Sequence, residues 1–270
     1  MTTLTDEDFN RLYRFIQNNY GIDLSKKKQL IVSRLQQSLE SNGYSSFADY
    51  VNDIVGGRRP DLVPPMLNKL TTNYTYFLRE EAHFNFLRNT VLPELAQKHR
   101  NDRSLSIWSA GCSSGEEPYT ISIYLKEYFG YDAGQWDTRI LATDISQNVL
   151  NTAMNPTYQD EQLERIPAPW KTKYFQKRPD GTYTVSKEIR DNVIFRPFNL
   201  MEQIRFRRPF DLIFCRNVMI YFDQETKDAL VNRFYNVTVP GGYLFIGHSE
   251  GLNKQTCPYK YLMPAIYQKK

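Results

Sequence analysis

From about residue 104 onward, short apolar runs alternate with helical stretches, and this narrows the possible folds more than any other feature of the chain. The runs cover residues 105–109, 140–143, 193–198, 212–215 and 243–246. Residues 117–129, 147–154 and 224–235 lie between them and space their apolar side chains as helices do. Strand–helix alternation predicts an α/β domain built on a parallel, doubly wound, Rossmann-like sheet. Pro240-Gly241-Gly242 reads as a turn into the last long strand, and residues 265–268 can pair with that strand. Ligands of such sheets bind beyond the carboxyl ends of the strands, near the point where strand order reverses. The residues just after each strand are therefore the candidates for chemistry.

The first 85 residues follow a different pattern. Thr5 and Asp8 make a capping-box-like start, after which Phe9, Leu12, Tyr13, Ile16 and Tyr20 recur at helical spacing up to Gly21. Leu24, Ile31, Leu35 and Leu39 form the stripe of a second helix, ended by Asn42-Gly43. Further helices are expected over 46–54 and 64–70, with a loop at 56–60. The expected division is thus an all-helical domain at 1–85 and an α/β domain at 86–270. Residues 155–191 are too long for one crossover helix. Pro179-Asp180-Gly181 is a turn between two extended stretches, so this segment reads as a small inserted β-hairpin subdomain.

Composition excludes several classes. Hydrophobic residues make up 41% of the 270-residue chain, an ordinary globular share, and no apolar run is long enough to cross a membrane. The acidic start, MTTLTDEDFN, does not read as a secretory signal. Three cysteines without a CxxC pair, together with three histidines, suggest neither a zinc site nor a disulfide framework, so no metal is expected. A reducing, cytoplasmic setting is the expectation. The net charge of +4 is too small to point to nucleic acid. Locally, though, no acid lies between Asp23 and Glu40, while Lys26, Lys27, Lys28 and Arg34 do, which places four cations on one expected helix.

The strand ends carry the chemistry. After the first comes Ser109-Ala110-Gly111-Cys112-Ser113-Ser114-Gly115-Glu116-Glu117-Pro118. It meets neither the GxGxxG dinucleotide fingerprint nor the GxxxxGK[ST] phosphate loop. Two acids at a helix start repel a pyrophosphate but suit a cationic amine. Asp144 follows the second strand, where a carboxylate can take both hydroxyls of a ribose or simply cap a helix. Asn199 and Leu200 follow the third, suited to an adenine edge and face. Arg216 and Asn217 follow the fourth, flanked by apolar residues in Cys215 through Phe222. An arginine in such a setting is unusual without a partner.

With these residues assembled, the chain closely resembles CheR-type chemotaxis receptor methyltransferases over essentially its whole length. The matching motifs are Leu70-Thr71-Thr72-Asn73, Trp108-Ser109-Ala110 through Gly115-Glu116-Glu117-Pro118-Tyr119, Ala142-Thr143-Asp144-Ile145, Phe214 through Phe222, and Gly247-His248-Ser249-Glu250. The resemblance implies a protein-glutamate O-methyltransferase that uses S-adenosylmethionine and releases S-adenosylhomocysteine. It implies that Asn73, Thr75 and Arg79 close over the cofactor and that Ala110 and Glu116 take its ammonium. Asp144 would hold the ribose, and Asn199 and Leu200 would frame the adenine. Arg216 and Asn217 would line the pocket, with Arg79 and Tyr221 at the transfer centre. The partner implied is the acidic cytoplasmic helical bundle of membrane chemoreceptors; Lys26, Lys27, Lys28 and Arg34 then read either as its docking face or as a solvated helix face, and the enzyme is taken as a monomer. Competing readings are a non-catalytic cofactor-binding or scaffold module and a methyltransferase for another acceptor. Some members grip a receptor tail peptide at the hairpin, but the short 178–182 loop points to the peptide-independent type. Asn155-Pro156-Thr157-Tyr158 resembles the NPPY of DNA amino-methyltransferases but lies after the wrong strand.

Overall fold

The computed structural model describes residues 3–71 and 73–270; Thr72, in the first matching motif, lies outside them. Two compact units emerge. One comprises the chain up to Asn73 together with Tyr221–Thr226, and the other comprises Tyr74–Ile220 with Lys227–Lys270. This division falls earlier than residue 85, because residues 74–86 pack with the second unit. Phe77 sits edge-on to Tyr158 and Phe175, and Phe84 stacks on Phe214.

The first unit is helical. Helix α1 (Asp6–Tyr20) starts where the Thr5 side chain accepts the Asp8 N–H at 3.1 Å, and it ends at Gly21 in a left-handed turn. Helix α2 (Lys28–Ser41) packs with α4 (Val63–Leu70), and α1 packs with α3 (Phe47–Val55). Leu12, Ile16, Ile31, Leu35, Leu39 and Met66 are fully buried, each contributing about 1.5–3 kcal/mol. Helix α2 begins later than the leucine stripe suggested. Lys26 and Lys27 precede it, and Lys27 sits at its N-terminus without a side-chain cap. Successive cations there oppose the positive end of the helix dipole. Within this unit the Asp23 N–H donates to the Tyr221 carbonyl at 2.8 Å, and Gln17 donates to Asp223 at 2.7 Å.

The second unit opens with α5 (Glu81–Phe86), which runs through one π turn (Leu87–Val91) into α6 (Leu92–Lys98). The α/β part then follows: β1 (Ile107–Ala110), α7 (Glu116–Phe129), β2 (Ile140–Asp144), α8 (Gln147–Met154). The insert contains β3 (Thr157–Tyr158), α9 (Ala168–Tyr174), β4 (Phe175–Lys177) and β5 (Tyr183–Val185), and α10 (Lys187–Arg190) leads out of it. The chain finishes with β6 (Val193–Pro197), β7 (Phe210–Cys215), α11 (Gln224–Val237), β8 (Thr238–Ile246), β9 (Lys260–Met263) and β10 (Ile266–Gln268).

Seven strands form one sheet in the order β6-β2-β1-β7-β8-β10-β9, parallel from β6 to β8 and antiparallel at β10 and β9. This is the doubly wound α/β sheet expected, reversing direction of growth between β1 and β7. Strand β8 starts earlier than expected. The Pro240-Gly241-Gly242 turn is absorbed as an irregularity, so pairing jumps from Phe210–Thr238 to Leu212–Tyr243. The insert carries its own three-stranded sheet, β3-β5-β4, in which the expected hairpin is joined by a third strand. Among the described residues, no helix is long and apolar enough to cross a membrane.

Candidate active site

The loops after β1, β2, β6, β7 and β8 meet at the carboxyl edge of the sheet. The loop after β1 is fastened to the end of β2. Gly111 and Cys112 donate their N–H groups to the Thr143 carbonyl at 2.8 and 2.9 Å. Gly111 is left-handed, and a Cβ there would run into Val218, so the loops after β1 and β7 touch at the point of sheet reversal. Trp108 braces this region from below, with its indole N–H donating to Thr143 Oγ1 at 2.9 Å.

Asp144 ends β2 and is buried. Its two oxygens accept the N–H groups of Ser113 and Ser146, each at 2.9 Å. Burial pushes its carboxyl up, while those N–H bonds pull it down. The Ile145 N–H pulls it down as well, and the two oxygens side by side suit a sugar's vicinal hydroxyls. Beyond β6, Phe198 donates its N–H to the Asp144 carbonyl at 3.0 Å, which brings Asn199 and Leu200 to the same edge. The Asn199 side chain accepts the Met201 N–H at 3.0 Å, and Leu200 is buried.

Glu116 opens α7 and is 3% exposed. Its carboxylate accepts the Ser114 hydroxyl at 2.8 Å and its own backbone N–H, and burial pushes the carboxyl up. A buried carboxylate at this strand end with acceptor capacity to spare fits an ammonium group. The buried carboxylates together with the left-handed glycine loop match the donor set of an amino-acid-bearing nucleoside.

The neighbouring Glu117 has a different task, one that the sequence reading did not single out. It accepts the Ser109 hydroxyl at 2.7 Å and Arg216 Nη1 at 3.0 Å. Burial pushes its carboxyl up against the pull of Arg216. The Arg216 side chain is 2% exposed and is shared between Glu117 and Glu80, with Nη2 also donating to the Arg79 carbonyl. Its guanidinium is thus committed to tying the loop after β7 to residues 79–80. Burial raises the Glu80 carboxyl, but Arg216 and the His248 N–H outweigh it, leaving it below its usual range. Glu80 also accepts Asn217 Nδ2 at 3.3 Å and the His248 N–H at 3.1 Å. Arg79 itself is half-buried, with Nη1 on the Tyr74 carbonyl at 2.9 Å and its guanidinium 5.7 Å from the Tyr76 ring centre.

Burial and the Arg216 charge push the fully buried His83 imidazole down to about 3, so it is neutral near pH 7. Its 3.4 Å approach to Glu80 is therefore not an ion pair. Glu80, His83 and His248 each bring one potential ligand atom within 4.8 Å of the others. Both Glu80 oxygens are already engaged, however, and a cation there would face the Arg216 guanidinium. The cluster reads as polar packing around Glu80.

The structure brings Arg79, Ala110, Glu116, Asp144, Asn199, Leu200, Arg216 and Asn217 into the second unit. Thr75 is also there, half-buried, whereas Asn73 and Tyr221 group with the helical unit. The four cations of the first unit separate. Arg34 Nη1 donates to the carbonyls of Lys69, Leu70 and Thr71 at 3.1, 3.1 and 3.3 Å, capping α4. Lys28 pairs with Asp6 at 2.6 Å. Lys26 and Lys27 stand exposed.

Comparison with known proteins agrees with this geometry. Residues 7–71 match the CheR methyltransferase all-alpha domain, and residues 73–265 match the CheR methyltransferase SAM (S-adenosylmethionine) binding domain. The chain is 42% identical to a chemotaxis protein methyltransferase of Borreliella burgdorferi, over 98% of this chain and 95% of that protein. It is 35% identical to Cher2 of Pseudomonas putida, over 97% and 98% of the two chains. It is also 35% identical to the chemotaxis protein methyltransferase of Escherichia coli, over 93% and 86%. The chain belongs to the CheR methyltransferase family, and its cofactor is S-adenosylmethionine.

Proposed function

We propose that this methyltransferase transfers the methyl group to glutamate side-chain carboxylates on the cytoplasmic helical bundle of membrane chemoreceptors, forming methyl esters for sensory adaptation. The observation that carries the reading is the pair of buried carboxylates, Glu116 and Asp144, at adjoining strand ends of a chain whose family acts in chemotaxis. When bound, the cofactor's sulfonium supplies an activated methyl group.

The chain's own residues then have separate tasks. Glu116 takes the ammonium, with the Ala110 backbone beside it, and Asp144 takes the ribose hydroxyls. Asn199 and Leu200 frame the adenine. Arg216 holds Glu80 and Glu117 in place and so fixes Arg79 and Asn217. An acceptor glutamate is already ionised near pH 7, so no strong base is required. The remaining work is to align carboxylate, methyl and sulfur in a water-poor site. Arg79 orients the acceptor and Tyr221 hydrogen-bonds it. For Asn73, Thr75 and Tyr221 the support is the family match alone.

The test is transfer of labelled methyl to membranes carrying chemoreceptors, with receptors whose acceptor glutamates are changed to alanine as control. Base-labile label that vanishes in the control is expected. Label that persists in the control overturns the acceptor assignment.

A further inference from the structure

Three features coincide in the loop after β7. Asn217 has a φ of +60, left-handed for a residue with a side chain. Gly247, after β8, lies so close that a Cβ there would run into the Asn217 amide. One carboxylate, that of Glu250, gathers backbone donors from both loops. Its Oε2 accepts the N–H of Asn217 at 2.9 Å and that of Gly247, and its Oε1 accepts the N–H of Ile220 at 3.2 Å. Glu250 is 8% exposed, so these bonds are shielded from water.

We infer that Glu250 is a positioning residue for methyl transfer, its carboxylate knotting the loops after β7 and β8 together and holding Asn217 in its left-handed conformation at the edge of the cofactor site. The inference rests on the proposed reading that Asn217 lines that site. A carboxylate suits this task because it accepts at both oxygens. An amide of the same shape accepts at one end only and turns an N–H₂ toward a backbone N–H at the other. Glu80 grips the same residue from its side chain, through Asn217 Nδ2 at 3.3 Å. Asn217 is therefore fixed by two carboxylates, one through its backbone and one through its amide. Gly247 supplies the close approach that a larger residue would block. In sequence, Gly247-His248-Ser249-Glu250 stands out only as a motif, with nothing local to give Glu250 this task.

The test uses the full chain with E250Q and E250A. Five quantities are read: melting temperature, calorimetric affinity for S-adenosylmethionine, amide hydrogen exchange over residues 216–221, and kcat and KM for receptor methylation. E250Q keeps the side chain's volume, so it remains informative if E250A fails to fold. The expected result for E250Q is faster exchange at 216–221 and a kcat at least about tenfold lower, since small misplacements of site groups cost that much. Receptor KM should hold within twofold. Unchanged exchange at 216–221, or a kcat within twofold of wild type, overturns the inference. If the wild-type chain methylates no receptor, the acceptor reading falls, and hydrogen exchange with cofactor calorimetry still decides the role of Glu250.

Discussion

Among the described residues both units hold acids lowered by their partners, Glu80 included, but only the α/β unit holds acids raised by burial. In the helical unit the perturbed acids lie at or near the surface. Lys28 holds Asp6 below its usual range, Ser25 does the same for Asp23, Tyr44 and Arg58 for Asp53, and Arg59 for Asp61. In the α/β unit, burial pushes Glu116, Glu117, Asp144 and Glu250 up. A lowered carboxylate adds stability that is present above its unfolded value and lost as pH falls through its folded one. A raised carboxylate does the reverse. It subtracts stability once ionised, and that cost disappears as pH falls through its raised value. The lowered acids of the helical unit therefore add to its own stability. The α/β unit gives up stability to bury negative charge, the pattern expected of a functional site.

The largest effect belongs to Arg216. Arg216→Met leaves Glu80 and Glu117 without their shared cation, and a loss of about 3–5 kcal/mol is expected in urea unfolding. Its counterpart in the helical unit, Arg34→Ala, removes donors to the end of α4 and should cost only about 1–2 kcal/mol. Equal losses would break the contrast between the units.

Next comes the pH arm. Without cofactor, Glu116→Gln should raise the melting temperature at pH 8 by about 2–4 °C for each kcal/mol regained. The gain should shrink toward pH 5, where the wild-type carboxyl is increasingly protonated. A gain that grows with acidity would contradict the sign. Scanning calorimetry at the two pH values decides it.

A smaller effect is expected at the surface. Reversing the exposed Lys26 and Lys27 to glutamate should raise the receptor KM severalfold, mostly at low salt, because steering by exposed charge is screened. Kinetics at two ionic strengths would show it, and an unchanged KM would remove these lysines from docking. The smallest effect is an expected absence. The β4–β5 loop is short, so a receptor tail peptide should give no calorimetric heat, and micromolar binding would refute the peptide-independent reading.

Much of this was legible in the sequence because the signals are local. Strand runs, helix periods and the turn at Pro179-Asp180-Gly181 lie within a few residues of the elements they specify. Asp144 and Glu116 drew notice as candidates because strand ends are where such sheets bind ligands, and both are buried there. The network around them was not. Arg216 meets Glu80 and Glu117 across 136 and 99 residues, and no local pattern pairs them. The helix pair at 81–98 went unread although Phe84, Leu87, Val91 and Leu95 keep helical spacing. Strand β9 was missed because an exposed edge strand such as Lys260–Met263 carries little apolar signal. The four cations were read as one helix face because spacing shows neither where α2 begins nor that Arg34 is spent on α4.

The central claim is that the buried carboxylates of the α/β unit, and not the surface cations of the helical unit, hold the cofactor. Calorimetric titration with S-adenosylmethionine tests it most directly, on wild type, Glu116→Gln, Asp144→Asn and the Lys26→Glu/Lys27→Glu double variant. The account predicts affinity about tenfold or more weaker for each carboxylate variant, the worth of one lost charge-assisted bond, and no change for the double lysine variant. Carboxylate variants that bind like wild type would contradict it.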